Sequence, residues 1–206
     1  MSAGRAAAPA ARHPVGVLAL QGDWAAHERA LAAHGVGAVE VRTAADLDGV
    51  AGLVLPGGES TTMLKLMEGT ELVPRILELV RRRAPVLATC AGVILLAREV
   101  RRPAQACLGA LDVAVERNAY GRQLDSTVAA LDVVDRAALP GDRIEGVFIR
   151  APRIVACGAG VEVLARRGAD PVLVRQDAIL AATFHPELSH ASPVLDLFVR
   201  ALENGR

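Results

Sequence analysis

The sequence predicts an α/β domain of three layers around a mixed, mostly parallel central sheet, and three observations carry that prediction. Through the first half of the chain, short apolar runs rich in Val, Ile and Leu alternate with helical patterns, the sequence sign of βαβ units. Two of those runs end in turns of small residues, at Pro56-Gly57-Gly58 and Thr89-Cys90-Ala91-Gly92, as buried strands do where they feed helices. The 206 residues fit a single domain, long enough to bury most of its apolar surface around one core.

In order, residues 15–20 read as a buried strand, followed by a helix around 27–34 and a strand near Val39. Residues 53–55 form the next strand, and 61–68 and 72–83 carry helical spacing. The apolar run 86–88 leads directly into Cys90 and then an apolar helix over 93–100, which puts Cys90 on a strand-to-helix turn. After Pro103 the character becomes alternating and β-rich, at 111–115, 128–134, 147–149, 161–164, 172–174 and 179–184. An amphipathic helix over 193–202 closes the chain. No repeat and no linker divides it, so the expected organisation is a disordered tail over 1–13 and one domain over 14–206.

Composition excludes several function classes. Basic and acidic residues balance at 23 each, so the chain lacks the positive field that drives binding to nucleic acid or to an anionic membrane, and neither partner is expected. Lys65 is the only lysine, a poor basis for Schiff-base chemistry. Cys90, Cys107 and Cys157 are an odd number at wide spacing, which disfavours both a disulfide framework and a zinc site; no metal and no cofactor is expected, and a reducing cytoplasm is the natural compartment. The Ala-rich start lacks the apolar run of a signal peptide, and no stretch approaches the ~20 apolar residues of a membrane span.

The chemistry concentrates in three places. In Ala88-Thr89-Cys90-Ala91-Gly92, a thiol stands on a tight elbow, with small residues on either side that let strand and helix approach closely. The helix that follows presents unsatisfied N–H groups and partial positive charge, which favour a thiolate and an oxyanion. Taken alone, Cys90 reads equally well as a small buried apolar residue. In Phe184-His185-Pro186-Glu187, an imidazole and a carboxylate emerge together from a strand's carboxyl end, the edge at which open α/β sheets bind ligands. A histidine there can take the thiol proton and return it to a leaving amine, while the carboxylate orients the ring. A lone His-x-Glu is more often a surface pair, but with Cys90 the set reads as a triad of Cys90, His185 and Glu187. Gly57-Gly58-Glu59-Ser60 ends another strand on the same edge; its backbone N–H groups, with that of Ala91, would complete an oxyanion hole through Gly58 and Ala91. The peptide between Gly57 and Gly58 has no Cβ on either side and can present either its N–H or its carbonyl.

Six segments together carry a resemblance: Leu20-Gln21-Gly22, Leu55-Pro56-Gly57-Gly58-Glu59-Ser60-Thr61-Thr62, Thr89-Cys90-Ala91-Gly92, Arg117-Asn118-Ala119-Tyr120-Gly121-Arg122-Gln123, Phe148-Ile149-Arg150-Ala151-Pro152 and Phe184-His185-Pro186-Glu187-Leu188. In order along the chain, they resemble the glutaminase subunits of pyridoxal 5'-phosphate synthases, a branch of the class I glutamine amidotransferases. The resemblance implies a flavodoxin-like fold and hydrolysis of L-glutamine to glutamate and ammonia through a thioester on Cys90. It also implies a glutamine pocket lined by Gly58, Glu59, Ser60, Arg117, Ile149 and Arg150, and a partner synthase subunit that uses the ammonia to make pyridoxal 5'-phosphate. Guanidinium groups and acceptors such as Glu59 suit a substrate that carries both a carboxylate and an ammonium.

Two departures are visible. Ala88 stands where such elbows usually carry glycine, which would cost about 1 kcal/mol if φ were positive there, and Tyr120 stands where phenylalanine is common. The rival readings are a class I glutaminase serving another synthase, which would lack the Arg-Asn-x-x-Gly-Arg-Gln segment, and a docking module without catalysis, which would not need a complete triad. Cys107 has no evident role.

Overall fold

The structure, a computed structural model, describes residues 13–117, 126–189 and 191–204. Residues 1–12 of the expected tail and most of the Arg-Asn-x-x-Gly-Arg-Gln segment, Tyr120 included, lie outside the described residues. Along the chain run β1 (Val15–Leu18), α1 (Trp24–Ala33), β2 (Ala38–Val41), β3 (Gly52–Leu55), α2 (Ser60–Met67), α3 (Leu72–Arg81), β4 (Val86–Thr89), α4 (Ala91–Leu96), β5 (Ala97–Arg101), β6 (Leu111–Glu116), β7 (Thr127–Val133), β8 (Arg143–Phe148), β9 (Arg153–Cys157), β10 (Glu162–Arg167), β11 (Asp170–Gln176), β12 (Ile179–Ala182) and α5 (Pro193–Asn204). Short 3-10 turns lie at Ala44–Leu47 and Pro186–Leu188.

The main sheet has nine strands in the order β2-β1-β3-β4-β12-β11-β10-β7-β8. Pairing is parallel from β2 through β12 and antiparallel from β12 to β8, so the sheet is mixed and its parallel character is confined to the half interleaved with helices. That half runs 2-1-3-4 and then β12, the flavodoxin-like order, whose ligand edge is the carboxyl end of the strands.

Why these strands are parallel and central follows from their side chains. β1, β3, β4 and β12 are buried along their whole length, so both faces need a cover. Val15, Val17, Val54, Leu87, Leu180 and Ala182 pack in one layer with Leu31 of α1 and with Val194, Leu195 and Phe198 of α5. Their neighbours Leu53, Leu55, Val86, Ala88, Ile179 and Ala181 pack in the other with Met63, Ile76 and Val93. Each large side chain so buried contributes roughly 1.5–3 kcal/mol. The second layer also receives β5, β6 and β9, which form a separate three-stranded sheet.

Two elements and one residue differ from the sequence expectation. The helix expected over 93–100 begins at Ala91 and stops at Leu96, and the chain continues as β5. Every residue of α4 is buried, so its apolar run has no polar face to mark where the helix ends, and pairing of β5 with β6 overrides the run's helical reading. β9 has no counterpart in the sequence reading because Ile154 is its only fully buried residue, too little for a period of two to register. Ala88 lies in ordinary strand backbone paired with Leu55 and Ala181 and is absent from the positive-φ residues; its methyl therefore costs no backbone strain.

Candidate active site

The turns that follow β1, β3, β4 and β12 meet at one edge of the parallel half. After β4, Cys90 takes φ 46° and ψ −103°, a conformation that non-glycine residues avoid at a cost of order 1–3 kcal/mol. The surroundings hold it there: the Cys90 N–H donates to the Ala182 carbonyl at 2.9 Å, and α4 begins at the next residue. Gly92 makes the close approach possible, since a Cβ there would lie 2.1 Å from the Leu55 carbonyl oxygen.

His185 follows β12. Its backbone N–H donates to the Val147 carbonyl at 2.8 Å, and its ring Nδ1 lies 2.7 Å from Glu187 Oε1. The ring nitrogen therefore carries the proton toward the carboxylate, and the opposite edge of the imidazole is free to face Cys90, whose side chain interacts with it. The Cys90 residue is 6% exposed, and the side chains of His185 and Glu187 are 12% and 2% exposed, so these groups interact with little screening by water.

Burial opposes a charge on His185, but its bonds to Cys90 and Glu187 and their charges outweigh that and raise the ring to about 10. Burial likewise opposes a charge on Glu187, but the hydrogen bonds from His185 and His27 hold the carboxylate down at about 2. An imidazolium set between a thiol and a carboxylate is the arrangement that can hand a proton to a leaving amine.

Gly57 closes the site from the β3 side. A Cβ there would lie 2.4 Å from His185 Cε1 and 3.3 Å from the Cys90 Cβ, so only glycine fits between elbow and base. Gly58 follows with φ 149°, and Gln21 in the turn after β1 fixes this backbone by accepting from the Glu59 N–H at 2.5 Å.

Around this centre lies a small, open-mouthed cleft of about 210 Å³. Every residue expected at the site lines it apart from Ala91, which is buried at the start of α4. Arg117 is no routine surface arginine: it donates to Glu59 Oε1 at 3.0 Å and to Gln105 Oε1 at 2.5 Å, and Ser60 Oγ meets the same Gln105 oxygen at 3.1 Å. Ile149 presents its carbonyl 3.8 Å from Cys90 Sγ, and Arg150, with φ 47°, is exposed at the rim.

The sequence reading missed Asp23, Gln105 and His27. Asp23 lines the cleft and caps α1 by accepting from the Ala26 N–H at 3.1 Å, a role that its place before a helical run announces. Gln105 sits in an irregular stretch with no pattern to reveal it. His27, buried under Glu187, left no signal apart from its residue type. Among the described residues no cluster of His, Cys, Asp and Glu could hold a metal ion, and no helix is long and apolar enough to cross a membrane.

The family model described as the SNO glutamine amidotransferase family matches residues 17–204. A protein of Koribacter versatilis named pyridoxal 5'-phosphate synthase subunit PdxT is 49% identical over 191 residues, covering 93% of this chain and 96% of the relative. A Thermotoga maritima protein of the same name is 47% identical over 175 residues, covering 85% and 92%. A solved structure described as a glutamine amidotransferase superposes with a TM-score of 0.83 at 44% identity, covering 92% of this chain and 98% of that one. The fold is thus the flavodoxin-like one of class I amidotransferases, and by extent of match as well as by the residues at its sheet edge, the chain belongs to the SNO glutamine amidotransferase family.

Proposed function

We propose that the chain hydrolyses L-glutamine to L-glutamate and ammonia, with Cys90 as nucleophile, His185 as proton carrier and Glu187 as the group that orients His185. The observation that carries this reading is the buried pair of His185 Nδ1 and Glu187 Oε1 at 2.7 Å, with the ring interacting with a cysteine held on a strained elbow. The sulfur attacks the side-chain amide carbon of glutamine, and the carbonyl electrons move onto oxygen, toward the N–H groups of Gly58 and Ala91. The oxyanion collapses, the C–N bond breaks, and ammonia leaves with the proton that His185 supplies. Water then attacks the thioester, His185 accepts its proton, and glutamate departs as the sulfur is released.

Arg117 and Arg150 bring charge-assisted donors to the substrate carboxylate, while Glu59 and the Ile149 carbonyl offer acceptors to its ammonium. The relatives' name supports a partner as well: ammonia from this chain passes to a synthase subunit that makes pyridoxal 5'-phosphate, in the cytoplasm. Ammonia released into water is protonated and lost to synthesis, so the isolated chain is a poor glutaminase and gains activity when the synthase docks. The test is glutamine turnover by the purified chain with and without its cognate synthase. Turnover that rises with the synthase and vanishes in Cys90→Ala supports the reading; a lone chain as fast as the complex refutes the partner dependence, and activity retained in Cys90→Ala refutes the mechanism.

A further inference from the structure

Behind the triad lies a second histidine that the proposed chemistry does not use. His27 occupies the face of α1 turned to the sheet and is 1% exposed. Its Nε2 lies 3.4 Å from Glu187 Oε1 and 3.2 Å from Thr89 Oγ1. Glu187 Oε1 is the same oxygen that His185 Nδ1 meets at 2.7 Å, so one carboxylate oxygen stands between two imidazoles. Thr89 is the residue before the nucleophile. A continuous buried polar chain therefore runs Thr89, His27, Glu187, His185, Cys90, and it draws on α1, β4 and the Pro186–Leu188 turn.

We propose that His27 is a positioning residue for the triad, donating from Nε2 to Glu187 and fixing the carboxylate in the orientation from which it holds His185.

Two features separate this from an ordinary core histidine. His27 Nδ1 is buried without a hydrogen-bond partner, an arrangement that costs stability and that an apolar side chain of similar volume would avoid; its two polar contacts are to Glu187 and to Thr89, the residue before Cys90. Glu187 Oε2 is equally buried and unpartnered, so with His27 absent nothing but His185 would fix the carboxylate. The hydrogen bond from His27 also ranks among the causes that hold Glu187 in its charged form. The ionisable groups that face this carboxylate are His27 from α1 and His185 from the end of β12, with Cys90 beyond. Groups that orient a functional ligand from behind typically contribute about 10-fold to 100-fold to activity.

The inference rests on the proposed glutaminase activity, and the experiment separates the two. Glutamine turnover is measured for the complex with the cognate synthase, as kcat, KM and the pH profile of kcat/KM, for wild type, His27→Leu and His27→Gln. The Leu variant is expected to lose about 10-fold to 100-fold in kcat with KM within twofold of wild type, and the acid limb of its profile moves to higher pH because Glu187 has lost a donor. The Gln variant recovers most of kcat, since its carboxamide N–H reaches the place of Nε2. Wild-type kcat and an unmoved acid limb in His27→Leu, or a loss that Gln does not restore, overturns the proposal. If His27→Leu does not fold, His27→Asn replaces it, because its shorter carboxamide cannot reach Glu187. A kcat equal to that of His27→Gln then overturns the proposal, and a kcat well below it at equal KM supports it. Wild-type complex that releases no ammonia would count against the glutaminase itself rather than against His27.

Discussion

The parallel half of the sheet and its antiparallel extension deliver different things to the same cleft. From the parallel half come Gly57, Gly58, Cys90 and His185, each on a short turn directly after a strand buried along its whole length. The extension contributes Ile149 and Arg150 through β8, a strand exposed at alternate positions, and Ile149 is 38% exposed. Arg117, at the end of β6, completes the second group. On the proposed roles, the groups that meet the reacting atom follow fully buried strands, whereas Ile149 and Arg150, which would grip the substrate, are exposed. The two are stitched together by the bond from the His185 N–H to the Val147 carbonyl at 2.8 Å and by Phe148 against Phe184, ring centroids 5.6 Å apart.

The comparison predicts that substitutions in the two groups fail in different kinetic constants. The largest losses belong to the parallel half: Cys90→Ala and His185→Asn should each lower kcat about 1,000-fold or more without unfolding the chain. Glu187→Gln should fall short of Cys90→Ala and His185→Asn, since an orienting carboxylate contributes less than the proton carrier. In the second group, Arg117→Ala or Arg150→Ala should raise KM for glutamine about 10-fold to 100-fold, the equivalent of roughly 1.5–3 kcal/mol for a charge-assisted bond, with kcat largely kept. Equal effects on kcat from both groups would erase the distinction.

A smaller effect is expected in stability against pH. His185 is raised from 6.5 to about 10, so the stability it contributes is fully present below pH 6.5 and is lost as pH climbs through about 10. Glu187 is lowered from 4.5 to about 2, and its contribution is present above pH 4.5 and lost as pH falls through about 2. Cys90→Ala removes one of the partners that raise His185, so the variant's melting temperature should decline less than wild type across the alkaline window. Parallel curves for the two proteins would contradict the coupling. The smallest change is expected at the other cysteines: burial pushes the thiols of Cys107 and Cys157 up, which leaves less thiolate. Cys107→Ala and Cys157→Ala should leave turnover unchanged.

How much of this was legible in the sequence follows a different line, between the strands and turns of the main sheet and everything packed against them. The strands of the parallel half announced themselves as short apolar runs, because a strand covered on both faces has no polar alternation to dilute it. The turns after them were equally legible, since each carries a residue type that chemistry restricts, as at Cys90, His185 and Gly57. The small sheet of β5, β6 and β9 was harder to read: β9 buries Ile154 alone, and α4, which runs into β5, has no polar face to show where it ends. Contacts between distant segments were not legible at all. Nothing about residue 27 announces that it lies beneath residue 187, and Gln105 joins Ser60 to Arg117 from a stretch without periodicity. The concern over Ala88 dissolved for a physical reason, because the strain of the elbow falls on Cys90 itself.

The most direct test is acid-quench mass spectrometry of the chain while it turns over glutamine in complex with its synthase. A glutamyl adduct on the peptide that contains Cys90, absent from Cys90→Ala and accumulating when water's access to the thioester is slowed, is the predicted result. Steady ammonia release with no adduct on Cys90, or with the glutamyl group on another residue, would contradict it.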